Sequence, residues 1–180
     1  SLQWGDELVQ GADLPATLTE VVAEHGAVLR PDFAFRTPDS DEADDDAEAD
    51  DAGGEEADEE DEASPPSAAA QVEGPWRLLG ITLPWGTHPL RRTVSSGWAT
   101  SPVERLGTLL RARNVPVGLA TDGRWWALVW AQRGKPVGVA VWDASLWSEE
   151  PETLEAFVAL LERRRFLGVG EDERLPALLE

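Results

Sequence analysis

The chain has 180 residues, a formal net charge of −20 and no cysteine. This length suits one domain with a sizeable core, and the lack of cysteine excludes disulfides and thiolate metal sites. No apolar run approaches the roughly 20 residues of a membrane-spanning helix, so we expect no membrane partner. The chain begins with Ser1 and contains no methionine, so we expect it to be a fragment or a processed form of a longer protein.

The negative charge is concentrated in one segment. Residues 39–62 hold 16 acidic side chains and no basic one, which leaves 19 acidic against 15 basic residues elsewhere. The wider segment 37–74 consists almost entirely of Asp, Glu, Ala, Ser, Pro and Gly. Such a composition cannot bury enough apolar surface to offset the entropy lost on ordering. We therefore predict a disordered acidic insertion at 37–74 inside a single α/β domain that spans residues 1–180.

Three regular elements and a loop are predicted before residue 100. They are a helix over 15–25, a strand over 27–35, a strand over 75–85 and a loop over 87–100. The helix is indicated by Leu18, Val21 and Val22, which recur at i, i+3 and i+4, and Gly26 follows as its C-terminal cap. Pro31 interrupts the first strand and favours an edge position or a bulge.

The most strongly patterned region runs from residue 100 to residue 142. It predicts a helix over 101–114 and three antiparallel strands over 115–121, 124–131 and 137–142. Ser101 caps the helix, Pro102 occupies its first position and Glu104 completes a capping box. Turns are predicted at 122–123 and 134–135, where glycine supplies the positive φ of a tight hairpin.

Both faces of the predicted sheet are apolar. Every side chain from 125 to 130 is apolar, three on each face, and the tryptophans among them are expected in the core. Helices are therefore needed above and below the sheet. The second covering helix is predicted over 151–166, and another begins at 175–179. The predicted fold class is α/β, with a mixed central sheet flanked by helices.

Few residues have the spacing of a catalytic site. His25 and His88 lie far apart and lack metal-ligand spacing, so we predict that both are surface or satisfied polar residues. Residues 166–170, FLGVG, are superficially similar to the glycine loop by which methyltransferases hold S-adenosylmethionine. That loop leaves a strand, whereas this one follows a helix, where Gly168 is expected as a cap.

A Pro-Asp pair on one predicted strand is followed by a second strand at 77–83. This order resembles the restriction-nuclease fold with its PD-(D/E)xK motif. The chain is more closely similar to the N-terminal domain of type I restriction subunits and of large restriction-associated adenine methyltransferases. The hairpin at 115–123, VPVGLATDG, matches the Val-Pro-x-Gly-x-x-Thr-[Asn/Asp]-Gly pattern of that group, and 97–106, GWATSPVERL, is similar to its type IIG and DISARM phage-defence members. The similarity covers 27–180 without the insertion.

This resemblance implies a restriction-endonuclease-like fold in a bacterial, cytoplasmic protein. Active members of the fold hold Mg²⁺ between an Asp on one strand and a Glu-x-Lys on the next. Asp32 matches the first position, whereas the second reads Ile81-Thr82-Leu83, without an acid or a lysine. Asp32 is therefore expected to be a vestigial catalytic residue, and we expect no metal or other cofactor in this fragment.

Methyltransferase chemistry is expected outside this fragment. Adenine methyltransferases of the group grip the flipped base with an Asn-Pro-Pro-[Tyr/Phe] motif. The only asparagine here is Asn114, which precedes Val115. The resemblance therefore implies that S-adenosylmethionine is bound by the parent protein beyond Glu180.

Three functional hypotheses follow. The first is a non-catalytic, nuclease-like module of a bacterial DNA adenine methyltransferase in a restriction-modification or phage-defence system, contacting DNA or a partner subunit. The second is an active Mg²⁺-dependent endonuclease that uses Asp32 with acids from elsewhere, such as Glu20 or Glu24. The third is a protein-interaction domain that acts through the acidic insertion as a DNA mimic.

The first hypothesis assigns DNA contact to arginines near loops and helix ends. The predicted DNA-binding residues are Arg91, Arg92, Arg163, Arg164 and Arg165. The run at 163–165 has a second explanation, because arginines at the end of a helix over 151–166 would stabilise its dipole. Trp85 and Trp98 are predicted to contact a partner.

Overall fold

A computed structural model of the chain describes residues 4–37, 76–95, 98–167 and 174–179. Apart from Thr37, the predicted insertion at 37–74 lies outside these ranges, as do Gly168 and Gly170 of the glycine-rich segment. Among the helices that the structure describes, none is long and apolar enough to cross a membrane.

The described chain forms ten strands and four α-helices. The strands are β1 (Leu8–Gln10), β2 (Glu20–Val22), β3 (Ala27–Leu29), β4 (Phe33–Arg36), β5 (Trp76–Thr82), β6 (Thr93–Ser95), β7 (Trp98–Thr100), β8 (Val117–Thr121), β9 (Trp125–Trp130) and β10 (Gly138–Asp143). The helices are α1 (Pro102–Arg113), α2 (Pro151–Leu161), α3 (Arg164–Leu167) and α4 (Leu175–Leu178).

Six strands build one mixed sheet in the order β1-β4-β5-β8-β9-β10. Strands β5 and β8 are parallel, and helix α1 is the crossover between them. The remaining neighbours are antiparallel. Two smaller sheets, β2-β3 and β6-β7, complete the described strands. The predicted class, α/β with a mixed central sheet, is confirmed.

Helix α1 forms as its local sequence predicts. The Ser101 hydroxyl accepts a hydrogen bond from the Glu104 N–H at 3.2 Å, and the Glu104 carboxylate accepts one from the Ser101 N–H at 2.8 Å. At the other end, Asn114 adopts φ 53° and stops the helix. The helix packs closely on the sheet at Gly118, where a Cβ atom would lie 2.9 Å from the Leu106 side chain.

The opposite face of the sheet is covered by the C-terminal helices. Phe157 and Leu161 of α2 and Phe166 of α3 pack on a layer of sheet side chains that includes Leu119 and Leu128. Leu79 and Val129 belong to the cluster on the α1 side. The prediction that both faces are covered is therefore confirmed, and it follows from the unbroken apolar run in β9.

The helix predicted over 15–25 is wrong. The chain forms a 3₁₀ turn at Ala16–Leu18, strand β2 and a second 3₁₀ turn at Ala23–His25. β-Branched side chains at Thr19, Val21 and Val22 favour the extended conformation. Gly26, at φ 59°, then turns the chain so that β2 pairs with β3.

Two further N-terminal predictions need correction. The strand predicted over 27–35 is divided at Pro31 into β3 and β4, because proline cannot donate to a ladder. The loop predicted over 87–100 contains the short pair β6-β7.

In the meander formed by β8, β9 and β10, the tip of the first hairpin is Gly123-Arg124, since the Asp122 N–H donates to the Trp125 carbonyl at 3.3 Å. This is one residue later than predicted.

The helix predicted over 151–166 is interrupted. Helix α2 ends at Leu161, Glu162 is extended with ψ 141°, and α3 begins at Arg164. Arginines 163–165 therefore lie beyond the last turn of α2, and stabilisation of its dipole does not explain them. The short helix predicted near 175–179 is confirmed as α4.

The meander tryptophans are only half-buried, although they were predicted in the core. Trp126 and Trp142 pack edge-on against Phe157, with ring centroids 5.3 and 5.4 Å away. Trp130 lies over Gly138, where a Cβ atom would be 1.9 Å from the indole. The fully buried side chains of β8 and β9 are aliphatic instead, and Leu128 is one of them. The tryptophans lie near the edge of the sheet, so their large rings remain partly in contact with solvent.

Candidate functional site

A cleft of about 440 Å³ opens where the start of β4, the end of β5 and helix α1 meet. One wall comes from α1, whose Pro102, Arg105, Leu106 and Leu109 recur at i, i+3, i+4 and i+7 and so share one helical face. The other lining residues are Val28, Leu29, Arg30, Asp32, Ile81, Thr82, Leu83, Pro84, Thr87 and Thr93. The cleft thus combines apolar walls with two arginines, one carboxylate and three hydroxyl groups.

Asp32 lies directly beside the segment predicted to contain the second half of the nuclease motif. Its carboxylate accepts a hydrogen bond from the Thr82 N–H at 2.6 Å. Its own N–H donates to the Gly80 carbonyl at 2.8 Å. Asp32 directly precedes β4, and its carbonyl also accepts a hydrogen bond from the Gly11 N–H at 3.1 Å, so its backbone is held on both sides. The structure therefore brings together Asp32 and residues 81–83, as the motif order predicts.

The acids considered as further metal ligands have other positions. Glu20 forms an ion pair with Arg113, which also donates to the Thr19 carbonyl at 2.7 Å. Glu24 is exposed in the 3₁₀ turn after β2 and does not line the cleft. Within the described ranges, no group of three or more His, Asp or Glu side chains is placed to hold a metal ion.

Two arginines that the sequence analysis did not select line the cleft. Arg105 donates to the Trp98 carbonyl at 3.1 Å, and its guanidinium lies 5.6 Å from the Trp98 ring centroid. Trp98 in turn stacks on His25 at 4.7 Å. Arg30 is exposed and donates to the Gly11 carbonyl at 3.2 Å. Two sequence features could have identified these arginines: Arg105 shares a helical face with Leu109, and Arg30 lies directly before Pro31.

The predicted DNA-binding arginines divide between two faces of the protein. Arg91 and Arg92 belong to the loop between the cleft residues Thr87 and Thr93, and both are exposed. The 163–165 run lies on the other side of the sheet, beside the cluster that α2 covers.

Two arginines of the 163–165 run have local carboxylate partners. Arg163 pairs with Glu7, whose pKa is lowered chiefly by that hydrogen bond. Arg164 pairs with Glu162 at 2.6 Å. The five predicted arginines therefore do not form one continuous surface, and the 163–165 run lies apart from Arg91 and Arg92.

The Glu104 carboxylate, near the cleft, has a strongly lowered pKa. Hydrogen bonds from the Ser101 N–H and the Thr100 hydroxyl, with smaller effects from Arg92 and the Ser101 hydroxyl, lower its pKa to about 2. The Arg92 guanidinium lies 3.0 Å from its carboxylate. The capping box thus also anchors one of the exposed arginines.

Glu104→Gln is expected to lower the free energy of unfolding at neutral pH by about 1 kcal/mol, the usual cost of weakening a helix cap. Because the folded pKa of about 2 lies below the ordinary value of 4.5, the ionised carboxylate stabilises the fold above pH 4.5. This contribution is lost as the pH falls from 4.5 towards 2. Urea unfolding at several pH values measures it.

The matched control for this prediction is Glu155→Gln, which alters an exposed glutamate of α2. It should change stability little at any pH. Equal losses in the two variants, or a Glu104→Gln deficit that persists near pH 2, would contradict the role assigned to the capping box.

A second organised feature lies beside the cleft, at the β8–β9 hairpin. The buried Asp122 carboxylate accepts hydrogen bonds from the N–H groups of Gly86, Arg124 and Trp125, at 2.9, 2.9 and 2.6 Å. Burial raises its pKa, but these backbone hydrogen bonds together outweigh burial and hold the pKa below its usual value. Asp122 thus ties the turn that carries Trp85 to the hairpin.

His88 and Arg124 both contact the Trp125 ring. The His88 and Trp125 ring centroids are 4.4 Å apart, and the Arg124 guanidinium lies 4.9 Å from the Trp125 centroid. Arg124 also forms a bidentate pair with Asp143, at 2.9 and 2.6 Å. With His25 on Trp98, both histidines therefore pack against tryptophans.

Comparison of the chain with protein-family models, with curated proteins and with solved structures finds no match. The residues of the cleft and the short sequence motifs are therefore the features that bear on function.

Proposed function

We propose that this chain is a non-catalytic, nuclease-like module of a bacterial DNA adenine methyltransferase in a restriction or phage-defence system, and that it contacts DNA through the cleft face. The observation that carries the proposal is the placement of Asp32 beside the end of β5, in a cleft that also contains Arg30 and Arg105. The restriction-endonuclease-like fold is part of the proposal.

The order of the strands supports this proposal. Strand β4, which directly follows the Pro-Asp pair, lies antiparallel to β5. Helix α1 then crosses over to β8, which runs parallel to β5 and leads into the β8–β9 hairpin. From the Pro-Asp pair onward this is the order on which the resemblance depends, whereas the helix that the resemblance places before that pair is replaced by 3₁₀ turns and β2. Fold by itself does not determine function, so the residues of the cleft have to carry the rest of the argument.

The residues at the end of β5 are the reason to propose a non-catalytic module. Hydrolysis of a phosphodiester with Mg²⁺ needs a metal held by carboxylates and a water aligned for attack. Residues 81–83 supply one hydroxyl and two hydrocarbon side chains. One oxygen of Asp32 already accepts the Thr82 N–H. S-adenosylmethionine would be bound by another part of the parent protein.

The arginines around the cleft are the reason to propose DNA contact. Arg30 and Arg105 line the cleft, while Arg91 and Arg92 project from the loop at its edge. Asp32 and Glu104 oppose them, so the local balance is basic although the chain as a whole is acidic. Guanidinium groups bind phosphate oxygens with charge-assisted hydrogen bonds and make affinity depend on salt.

Docking of a partner subunit is the second candidate function. Val21 and Val28 face each other across the β2–β3 pair and are 63% and 65% exposed. Val28 also lines the cleft. An exposed apolar pair beside a binding cleft favours protein contact, and this function would remain if no DNA bound.

The test combines plasmid cleavage with duplex binding by the full 180-residue chain. We expect no nicking of supercoiled plasmid with Mg²⁺ or Mn²⁺. We expect Arg91→Ala/Arg92→Ala to weaken duplex binding roughly tenfold at about 50 mM salt and to reduce the salt slope by about 2. Arg164→Ala is the matched control, because Arg164 is exposed and paired as Arg92 is, but lies on the other face.

Each contrary outcome is specific. Metal-dependent nicking that Asp32→Ala abolishes would establish the endonuclease hypothesis instead. If Arg164→Ala weakens duplex binding and the loop variant does not, the DNA contacts the face that α2 covers, and the proposed contact at the cleft is wrong. Absence of DNA binding at low salt would overturn the DNA contact and leave subunit docking.

A further inference from the structure

The turn that carries Trp85 has no role in the function proposed above. Trp85 is 78% exposed, although a large indole is costly to leave in water. It lies in a four-residue turn closed by a hydrogen bond from the Thr87 N–H to the Pro84 carbonyl at 3.1 Å, with Gly86 at φ 83°. Glycine suits this position because other residues rarely adopt a positive φ.

Hydrogen bonds to a buried carboxylate hold the base of this turn. Asp122 is only 7% exposed, and its carboxylate accepts the Gly86 N–H on one side and two hairpin N–H groups on the other. The Trp85 indole borders Gly123, where a Cβ atom would lie 3.6 Å from the ring. An exposed ring on an ordered backbone binds a flat partner with little further loss of conformational entropy.

The Trp85 turn forms one lip of the cleft. Leu83 and Pro84 on one side of Trp85 and Thr87 on the other all line the cleft. The loop then continues to Arg91 and is anchored on α1 by a hydrogen bond from the Val103 N–H to the Pro89 carbonyl at 3.2 Å. An exposed indole thus adjoins a basic cleft whose volume suits one small molecule.

We propose that this face binds an unpaired stretch of nucleic acid, with the Trp85 indole stacked on a base and the arginines of the cleft, Arg30 and Arg105, on the neighbouring phosphates. The inference rests on the proposed DNA contact and adds that the bound nucleic acid is unpaired. A projecting indole can stack only on a base whose face is free, and bases in a duplex cover one another. A duplex would meet the same arginines without engaging the ring.

The experiment uses three labelled ligands of about 12 nucleotides, a length within the range of single-strand binding sites. They are a thymidine single strand, a duplex and a single strand with abasic positions in place of its bases. Fluorescence anisotropy measures their affinities for the full chain and its variants at about 50 mM salt, where phosphate contacts are strong.

Trp85→Ala is expected to weaken binding of the thymidine strand about tenfold, the usual effect of removing one stacking partner. Trp85→Phe should retain most of the affinity because it keeps a ring. Neither variant should change binding of the duplex or the abasic strand. Leu178→Ala is the matched control, since it removes an exposed apolar side chain of α4, remote from the cleft. Thermal unfolding checks that all variants remain folded.

The outcomes separate this inference from the proposed function. If all three ligands bind and Trp85→Ala changes none of the affinities, the inference is wrong and the DNA contact stands. If Trp85→Ala weakens duplex and single strand equally, the preference for unpaired nucleic acid is wrong. If no ligand binds, the proposed DNA contact fails and this inference fails with it.

Discussion

Replacing Phe35 with alanine is expected to lower the free energy of unfolding by about 3–5 kcal/mol, the usual cost of deleting a buried ring. Phe35 is 0% exposed and lies in β4, opposite Leu8 of β1 and Leu78 of β5. Its ring centroid lies 5.3 Å from that of Trp4 and 5.2 Å from that of Phe166. The substitution would leave a cavity where the two ends of the chain meet.

Urea unfolding measures this loss, and the melting temperature should fall by roughly 10 °C. Val21→Ala is a suitable control because Val21 is 63% exposed, and its replacement should cost little. A Phe35→Ala protein as stable as the control would show that the sheet and the C-terminal helices do not share the core described above.

Replacing Asp122 with alanine is expected to cost about 3 kcal/mol, because three backbone N–H groups lose their acceptor at a buried site. Asp122→Asn keeps one carbonyl oxygen and should cost less. The structure ties Gly86 to the hairpin through this carboxylate. We therefore expect Asp122→Ala to weaken single-strand binding as well, because it loosens the turn that carries Trp85.

The pH dependence of Asp122 has a defined sign. Its folded pKa lies below the ordinary value of 3.8, so the ionised form stabilises the fold above pH 3.8. The stability difference between the wild-type protein and Asp122→Asn should shrink as the pH falls below that value. A difference that grows on acidification would contradict the hydrogen-bond arrangement at the hairpin.

Elements with complete local signals were predicted well from the sequence. Helix α1 carries its N-cap at Ser101, a reciprocal glutamate at Glu104 and a stop at Asn114, and its bounds agree with the structure. The meander from β8 to β10 was predicted within one or two residues, since glycines mark both of its turns. These signals act over a few residues, so distant packing has little influence on them.

Segments whose residue pattern is compatible with both helix and strand were predicted poorly. Leu18, Val21 and Val22 have helical spacing, yet Val21 and Val22 lie in β2 because pairing with β3 is available across Gly26. The second helix was predicted to continue to residue 166, but α2 ends at Leu161, and Arg163 instead pairs with Glu7 from the opposite end of the chain. An ion pair across this sequence separation has no local pattern.

The candidate site shows the same division. Asp32 was identified because a Pro-Asp pair before a strand is a local motif, and its contact with Thr82 follows from the pairing of consecutive strands. Arg30 and Arg105 were missed as cleft residues, because their meeting depends on how α1 crosses over the sheet.

The sequence by itself determined the α/β class, helix α1, the two-faced sheet and the position of Asp32, since each depends on local propensity or on strict apolar periodicity. The tertiary structure alone decided which arginines surround the cleft, the separation of Arg91 and Arg92 from the 163–165 run, and the exposure of Trp85 on a hydrogen-bonded turn. These features arise from contacts between segments far apart in the chain, such as the hydrogen bond between Gly86 and Asp122. Loop closure and packing select such contacts collectively, and no single stretch of residues encodes them.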